Sequence, residues 1–163
     1  MPSSRFLQHY KRLSLGRRVA LRALVSFTIV FIFFRVLTYL IHYELLPLHN
    51  LVTRSGLHIH HLFWGILLLM ISGFAALASR DPNWHFRIAV LYGIALALTL
   101  DEFALWLRLA DVYWDPIGKR ESITAAVLAG AFLGLYAAGK PFWHAVGSEL
   151  FVRRRRNRLR RVN

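Results

Sequence analysis

Apolar residues in this chain run in long blocks, without the alternating or three-to-four spacing of elements that are half buried in a soluble core. Four blocks, 23–46, 57–78, 86–110 and 122–139, fall in the ~17–25-residue range that a helix needs to cross ~30 Å of hydrocarbon. The connections between them are short. They are marked by Pro47 and Asn50, by Arg80-Asp81-Pro82-Asn83, and by Asp115-Pro116-Ile117-Gly118, residue types that interrupt helices. The pattern predicts an all-α, polytopic membrane protein with four transmembrane helices and no soluble domain between them. The first block exceeds the ~7–15 apolar residues of a signal peptide and has no small-x-small cleavage site after it, so it is expected to stay as a span.

Small residues recur within the blocks. Ala89, Gly93, Ala97 and Asp101 are spaced by four, Gly65 and Gly73 follow His61, and Ser122, Ala126, Gly130, Gly134 and Ala138 form a third series. Such stripes mark close helix approach in membranes, so His61 and Asp101 are expected to face other helices and not lipid. The first block, with Phe27, Ile29, Phe31, Ile32, Phe33 and Phe34, is bulky and is expected at the periphery. Gly130-x-x-x-Gly134 serves packing inside the chain or between two copies of it.

Composition adds a division of charge. The 163 residues are 56% hydrophobic and 18% charged, with a formal net charge of +13 and a mean hydropathy of +0.43. Residues 1–22 carry six basic groups and no acid, residues 140–163 carry eight and one acid, and residues 23–139 carry seven of each sign. The chain therefore divides into a basic N-terminal segment (1–22), a neutral four-helix transmembrane domain (23–139) and a basic C-terminal tail (140–163). This distribution excludes a nucleic-acid-binding domain with a spread basic face, and it excludes intrinsic disorder. With both termini cytoplasmic, sixteen basic residues fall inside and only Arg54, Arg108, Lys119 and Arg120 outside. Positively charged loops stay inside, so that orientation is expected, in a bacterial plasma membrane.

The tails suit an anionic surface. Phe6, Tyr10 and Leu13 share one face of an interfacial helix among Arg5, Lys11 and Arg12, and Arg153-Arg154-Arg155-Arg156 follows Phe142, Trp143, Leu150 and Phe151. Anionic headgroups are the expected partners, at ~1 kcal/mol per charge, with no nucleic acid. The alternative is that the charges only fix topology.

Ionisable residues within hydrocarbon are costly and mark functional positions. The second span opens on His58-Ile59-His60-His61, the third contains Asp101-Glu102, and the first carries Arg35, His42 and Glu44. At 1.5 Å per residue, His61 lies ~6 Å below the outer end and the acid pair ~10–12 Å below it, close enough for side chains to meet. Imidazoles beside carboxylates, in a chain with no cysteine, suit zinc, iron or manganese. His58, His61 and Asp101 are the expected metal ligands, with His60 as a further one on another helical face. Glu102 is a bridging ligand or the general base of a metal-bound water. The function expected is metal-assisted hydrolysis or related chemistry on a lipid or lipid-linked substrate. The alternatives are an ion-pair network in which Asp101 or Glu102 neutralises Arg35, proton or ion transport or sensing through the same groups, and a non-enzymatic assembly partner.

The third loop, Asp111 to Glu121, holds Tyr113 and Trp114, read as an interfacial aromatic belt. A functional reading makes it a headgroup lid with Arg120 on phosphate. Together, His-x-His-His, Leu-Thr-Leu-Asp-Glu-Phe-Ala-Leu-Trp-Leu and Asp-Val-Tyr-Trp resemble a motif set of small bacterial four-helix integral membrane proteins over roughly residues 57–125, a resemblance that carries no activity. The histidine cluster also resembles the His-x-x-His-His boxes of membrane desaturases and hydroxylases. It is a single, differently spaced cluster, so that activity is not transferred.

Overall fold

The computed structural model describes residues 10–47 and 60–159, with side chains described through Gly139. All regular structure among them is helical: α1 (Leu15–His42), α2 (His61–Ala78), α3 (Pro82–Asp101), α4 (Phe103–Arg108) and α5 (Pro116–Leu159). Four segments are long and apolar enough to cross a membrane: α1, α2, α3 and the Pro116–Gly139 part of α5. The chain is thus a multi-pass, all-helical protein by length and composition. Below, the proximal end is where α1 begins, and the distal end is where α1 finishes and α2 begins.

The third span departs from the expected 86–110 helix. It stops at Asp101, Glu102 takes φ −107° and ψ 22°, and a separate short helix follows. The cause lies in backbone pairing. Leu105 N–H bonds to the Glu102 carbonyl and not to that of Asp101. Breaking a ladder in hydrocarbon is tolerated only where other groups satisfy the freed atoms. Here the Arg35 guanidinium donates to the Asp101 carbonyl at 2.9 Å, and Ser122 Oγ accepts from Ala104 N–H at 3.2 Å. The fourth span is kinked in a comparable way at Gly139, whose φ of 67° suits only glycine without strain. Arg17 donates to the carbonyls of Ala137 and Ala138, both at 2.8 Å.

The second span begins at His61, later than expected, with His60 extended at φ −69° and ψ 144°. The second loop forms as its residues dictate: Asp81 accepts from Asn83 N–H and Pro82 opens α3, where a missing N–H costs nothing.

The first span is the least buried of the four, with Ile29, Ile32 and Phe33 exposed as its bulk predicts, but its other face is not peripheral. α1 packs on both α3 and α5, and Phe27, 4% exposed, forms a core cluster with Ala97 and Ala126. The stripe Ala89, Gly93, Ala97, Asp101 gives this contact its closeness. A methyl on Gly93 would run into Ser26 Oγ and the Ala23 carbonyl of α1. Gly65 of α2 also lies too close to Thr99 of α3 to admit a methyl, though less tightly than Gly93 meets α1. Gly130 and Gly134 pack on Phe27 and Leu24 of α1, so that motif is used within the chain. The series ends before Ala138, which is exposed.

Candidate functional site

Four elements converge at the distal end on Asp101, the most deeply buried ionisable residue among those described, at 0% exposure. It is delivered by the small-residue stripe of α3, which admits no bulk between helices. Arg35 Nε of α1 lies 2.7 Å from Oδ1. His61 Nε2, at the first position of α2, lies 3.0 Å from Oδ2. The Tyr113 hydroxyl, from the loop after α4, donates to Oδ2 at 2.9 Å and lies 2.8 Å from Thr38 Oγ1. Burial, then the neighbouring Asp101 charge, raises the Tyr113 hydroxyl above the usual tyrosine range, so it remains a donor. Arg35 also sits 4.9 Å from the Tyr113 ring centre and 5.4 Å from that of Phe31.

Glu102 occupies the break between α3 and α4, and its side chain turns to α2. Oε1 meets His60 Nδ1 at 2.9 Å, and Oε2 accepts from Leu62 N–H at 2.8 Å. His60 supplies no side-chain cap of its own, so the Glu102 carboxylate caps α2 from a neighbouring helix. A negative group at this end also complements the helix dipole. His61 Nδ1 faces Oε2 at 3.5 Å, placing the imidazole between both carboxylates.

The expected meeting of α2 histidines with the α3 acid pair therefore occurs. Arg35, also named from the sequence, joins it as the partner of Asp101. The helical-face argument for His60 does not apply, because His60 precedes the helix and reaches Glu102 from extended backbone. His58 lies outside the described residues, as do the side chains of the C-terminal arginine run. His42 and Glu44 do not enter the cluster. His42 stacks on Trp114 with ring centres 3.6 Å apart, and Glu44 is exposed, with φ 56°. Arg120 is exposed too, and beside it Lys119 lies over the Tyr39 and Trp114 rings.

Tyr113 corrects the sequence reading. It is 6% exposed and hydrogen-bonded inside the site; Trp114 alone keeps a belt-like, partly exposed position. Its signal was the shortness of the loop, which leaves a phenol within reach of the acid pair. Comparison of the chain with family models, curated proteins and solved structures finds no match. The site's chemistry has to be argued from its geometry.

That geometry is one of mutual pairing. Among the described residues no three His, Asp or Glu side chains are arranged to hold a common ion. Both oxygens of Asp101 face donors, one of them a guanidinium, and both oxygens of Glu102 are engaged. An arginine at the carboxylate competes with a cation for the same lone pairs.

Proposed function

We propose that this multi-pass membrane protein uses its distal cluster for proton-linked sensing. The observation that carries the reading is His61, with Nε2 at 3.0 Å from Asp101 and Nδ1 at 3.5 Å from Glu102. Ionised carboxylates only accept, so the imidazole presents an N–H toward both only when doubly protonated, with a hydrogen bond to Asp101 and a longer charge contact to Glu102. Loss of that proton leaves one ring nitrogen opposing a carboxylate, and the α2–α3 contact has to readjust. His60, with its side chain 30% exposed, places the Glu102 side of the cluster at the distal surface. Sensing is favoured over conduction because the hydroxyls toward the proximal side bond back to their own helices: Thr99 to Ala95, Ser72 to Leu69.

A divalent metal is the second reading. It is favoured by the convergence of His60, His61, Asp101 and Glu102, with His58 two residues upstream of His60. Zinc, iron or manganese would have to draw Asp101 away from Arg35. Metal-assisted chemistry on a lipid-type substrate, with Glu102 as base, belongs to this reading.

One preparation separates the two. The full chain is placed in lipid nanodiscs for elemental analysis and for infrared spectra of its carboxyl groups between about pH 5 and 8, the range in which histidine switches charge. Sensing predicts no stoichiometric metal and a pH-dependent carboxyl change that His61→Gln abolishes. About one ion per chain, lost in both His61→Ala and Asp101→Ala, establishes the metal site instead. A flat pH response without metal overturns both readings.

A further inference from the structure

The loop between α4 and α5, residues 109–115, meets α1 through two adjacent residues. Arg35, Thr38, Tyr39 and His42 are spaced at i, i+3, i+4 and i+7, so they form one stripe along the distal half of α1. Arg35 and Thr38 take Tyr113. The guanidinium lies 4.9 Å from its ring centre, and the Thr38 hydroxyl lies 2.8 Å from the phenolic oxygen. Tyr39 and His42 take Trp114, the first edge-on with ring centres 5.3 Å apart, the second face-to-face at 3.6 Å. Lys119, on the first turn of α5, adds a cation 5.2 Å from the Trp114 ring centre and 5.5 Å from that of Tyr39.

Among the described residues, the other hydrogen bonds of this loop are local. Val112 N–H bonds to the Ala110 carbonyl at 3.0 Å, Asp115 N–H to the Val112 carbonyl at 3.1 Å, and Tyr113 N–H to Asp111 Oδ1 at 3.4 Å. Gly118 lets the Val112 carbonyl close onto the start of α5. These contacts shape the turn without joining it to α1. Leu109, Asp111 and Asp115 are exposed. Tyr113 itself is held to Asp101 Oδ2 by one hydroxyl. A single hydrogen bond contributes little net stability, because water offers the phenol an alternative. What opposes its release is the stacking of the next residue.

We infer that Trp114 is a positioning residue: by stacking on His42 it holds the loop on α1 and keeps the Tyr113 hydroxyl on Asp101. It acts through Tyr113, its neighbour in the chain. Asp101 Oδ2 is shared by Tyr113 and His61, so a loosened stack removes one donor from the oxygen that His61 contacts. The inference rests on the sensing reading for the importance of that oxygen, and on geometry alone for the link from Trp114 to Tyr113.

The test uses the full chain in lipid nanodiscs at one fixed pH, with its six tyrosines replaced biosynthetically by 3-fluorotyrosine. The Tyr113 fluorine resonance is the one missing from Tyr113→Phe. In the unaltered chain it should be shielded from an aqueous gadolinium chelate. Trp114→Ala should raise its relaxation by the chelate severalfold and move its shift toward that of an exposed tyrosine. Trp114→Phe, which keeps a ring on His42, should retain the shielded signal. His42→Ala removes the stack from the other side and should act in the same direction as Trp114→Ala, so the result does not hang on one variant folding. A thermal scan gives the stability of each. A role in stability alone predicts a lower unfolding temperature with the Tyr113 resonance unmoved, and that outcome overturns the inference. So does a Tyr113 resonance already exposed in the unaltered chain. Because the pH is fixed, a flat pH response of the carboxyl groups, which overturns sensing, leaves this comparison decisive.

Discussion

Arg35 and Asp101 form a pair whose members need each other more than the fold needs the pair. Arg35 is 14% exposed and Asp101 not at all, so deleting one partner strands the other in a medium that solvates it poorly. Removal of a single buried partner costs about 3–5 kcal/mol, whereas replacing both by apolar groups is often nearly neutral. Asp101→Asn and Arg35→Met are each expected to destabilise within that range. The double variant Arg35→Met with Asp101→Leu should cost clearly less than the sum of the two. Reversible denaturation in mixed micelles measures this, and strict additivity would show the pair to be uncoupled. Full recovery is not expected, because Arg35 also serves the Asp101 carbonyl and Tyr113 would lose its acceptor.

At the scale of elements, close approach decides which small residues matter. Gly93→Ala places a methyl against the backbone of α1 and should destabilise by about 1–3 kcal/mol, the usual cost of overpacking. Gly73→Ala, facing open space, should change stability little. Thermal unfolding of the two variants side by side is the measurement, and equal effects would contradict the packing described. This scale also shows what the sequence made legible. Hydropathy located four spans, and spacing by four placed Asp101 inward and brought it to His61. The break at Glu102 was invisible because neighbouring residues stay apolar. What ends the helix is a carboxylate capping α2 and an arginine on a carbonyl, neither of which leaves a periodic trace. Phe27 was misjudged for a related reason: a run of aromatic residues shows bulk, but not which ring meets Ala97 and Ala126. Tyr113 was assigned to a belt by type, since its hydroxyl partner is twelve residues away and in another element.

For the whole molecule, the chain's lack of cysteine makes topology directly measurable. Asn83→Cys, in the second loop, should react with a membrane-impermeant maleimide only from the cytoplasmic side. Asp111→Cys, in the third loop, should react only from outside. Labelling of both from one side would contradict the four-span arrangement, and exchange of the two sides would invert the orientation argued from basic residues.

α1 precedes α3 and α5 in the chain, yet two of its arginines complete those later helices. Arg17 closes the kink of α5 across 120 residues of sequence, and Arg35 reaches Asp101 across 66. Until residue 101 has been made, Arg35 lacks the carboxylate with which it pairs in the folded chain. A chain cut before α3 would leave the Arg35 guanidinium without the carboxylate and carbonyl that it meets in the folded protein. The finished chain hides that charge by the same contact that assembles the site.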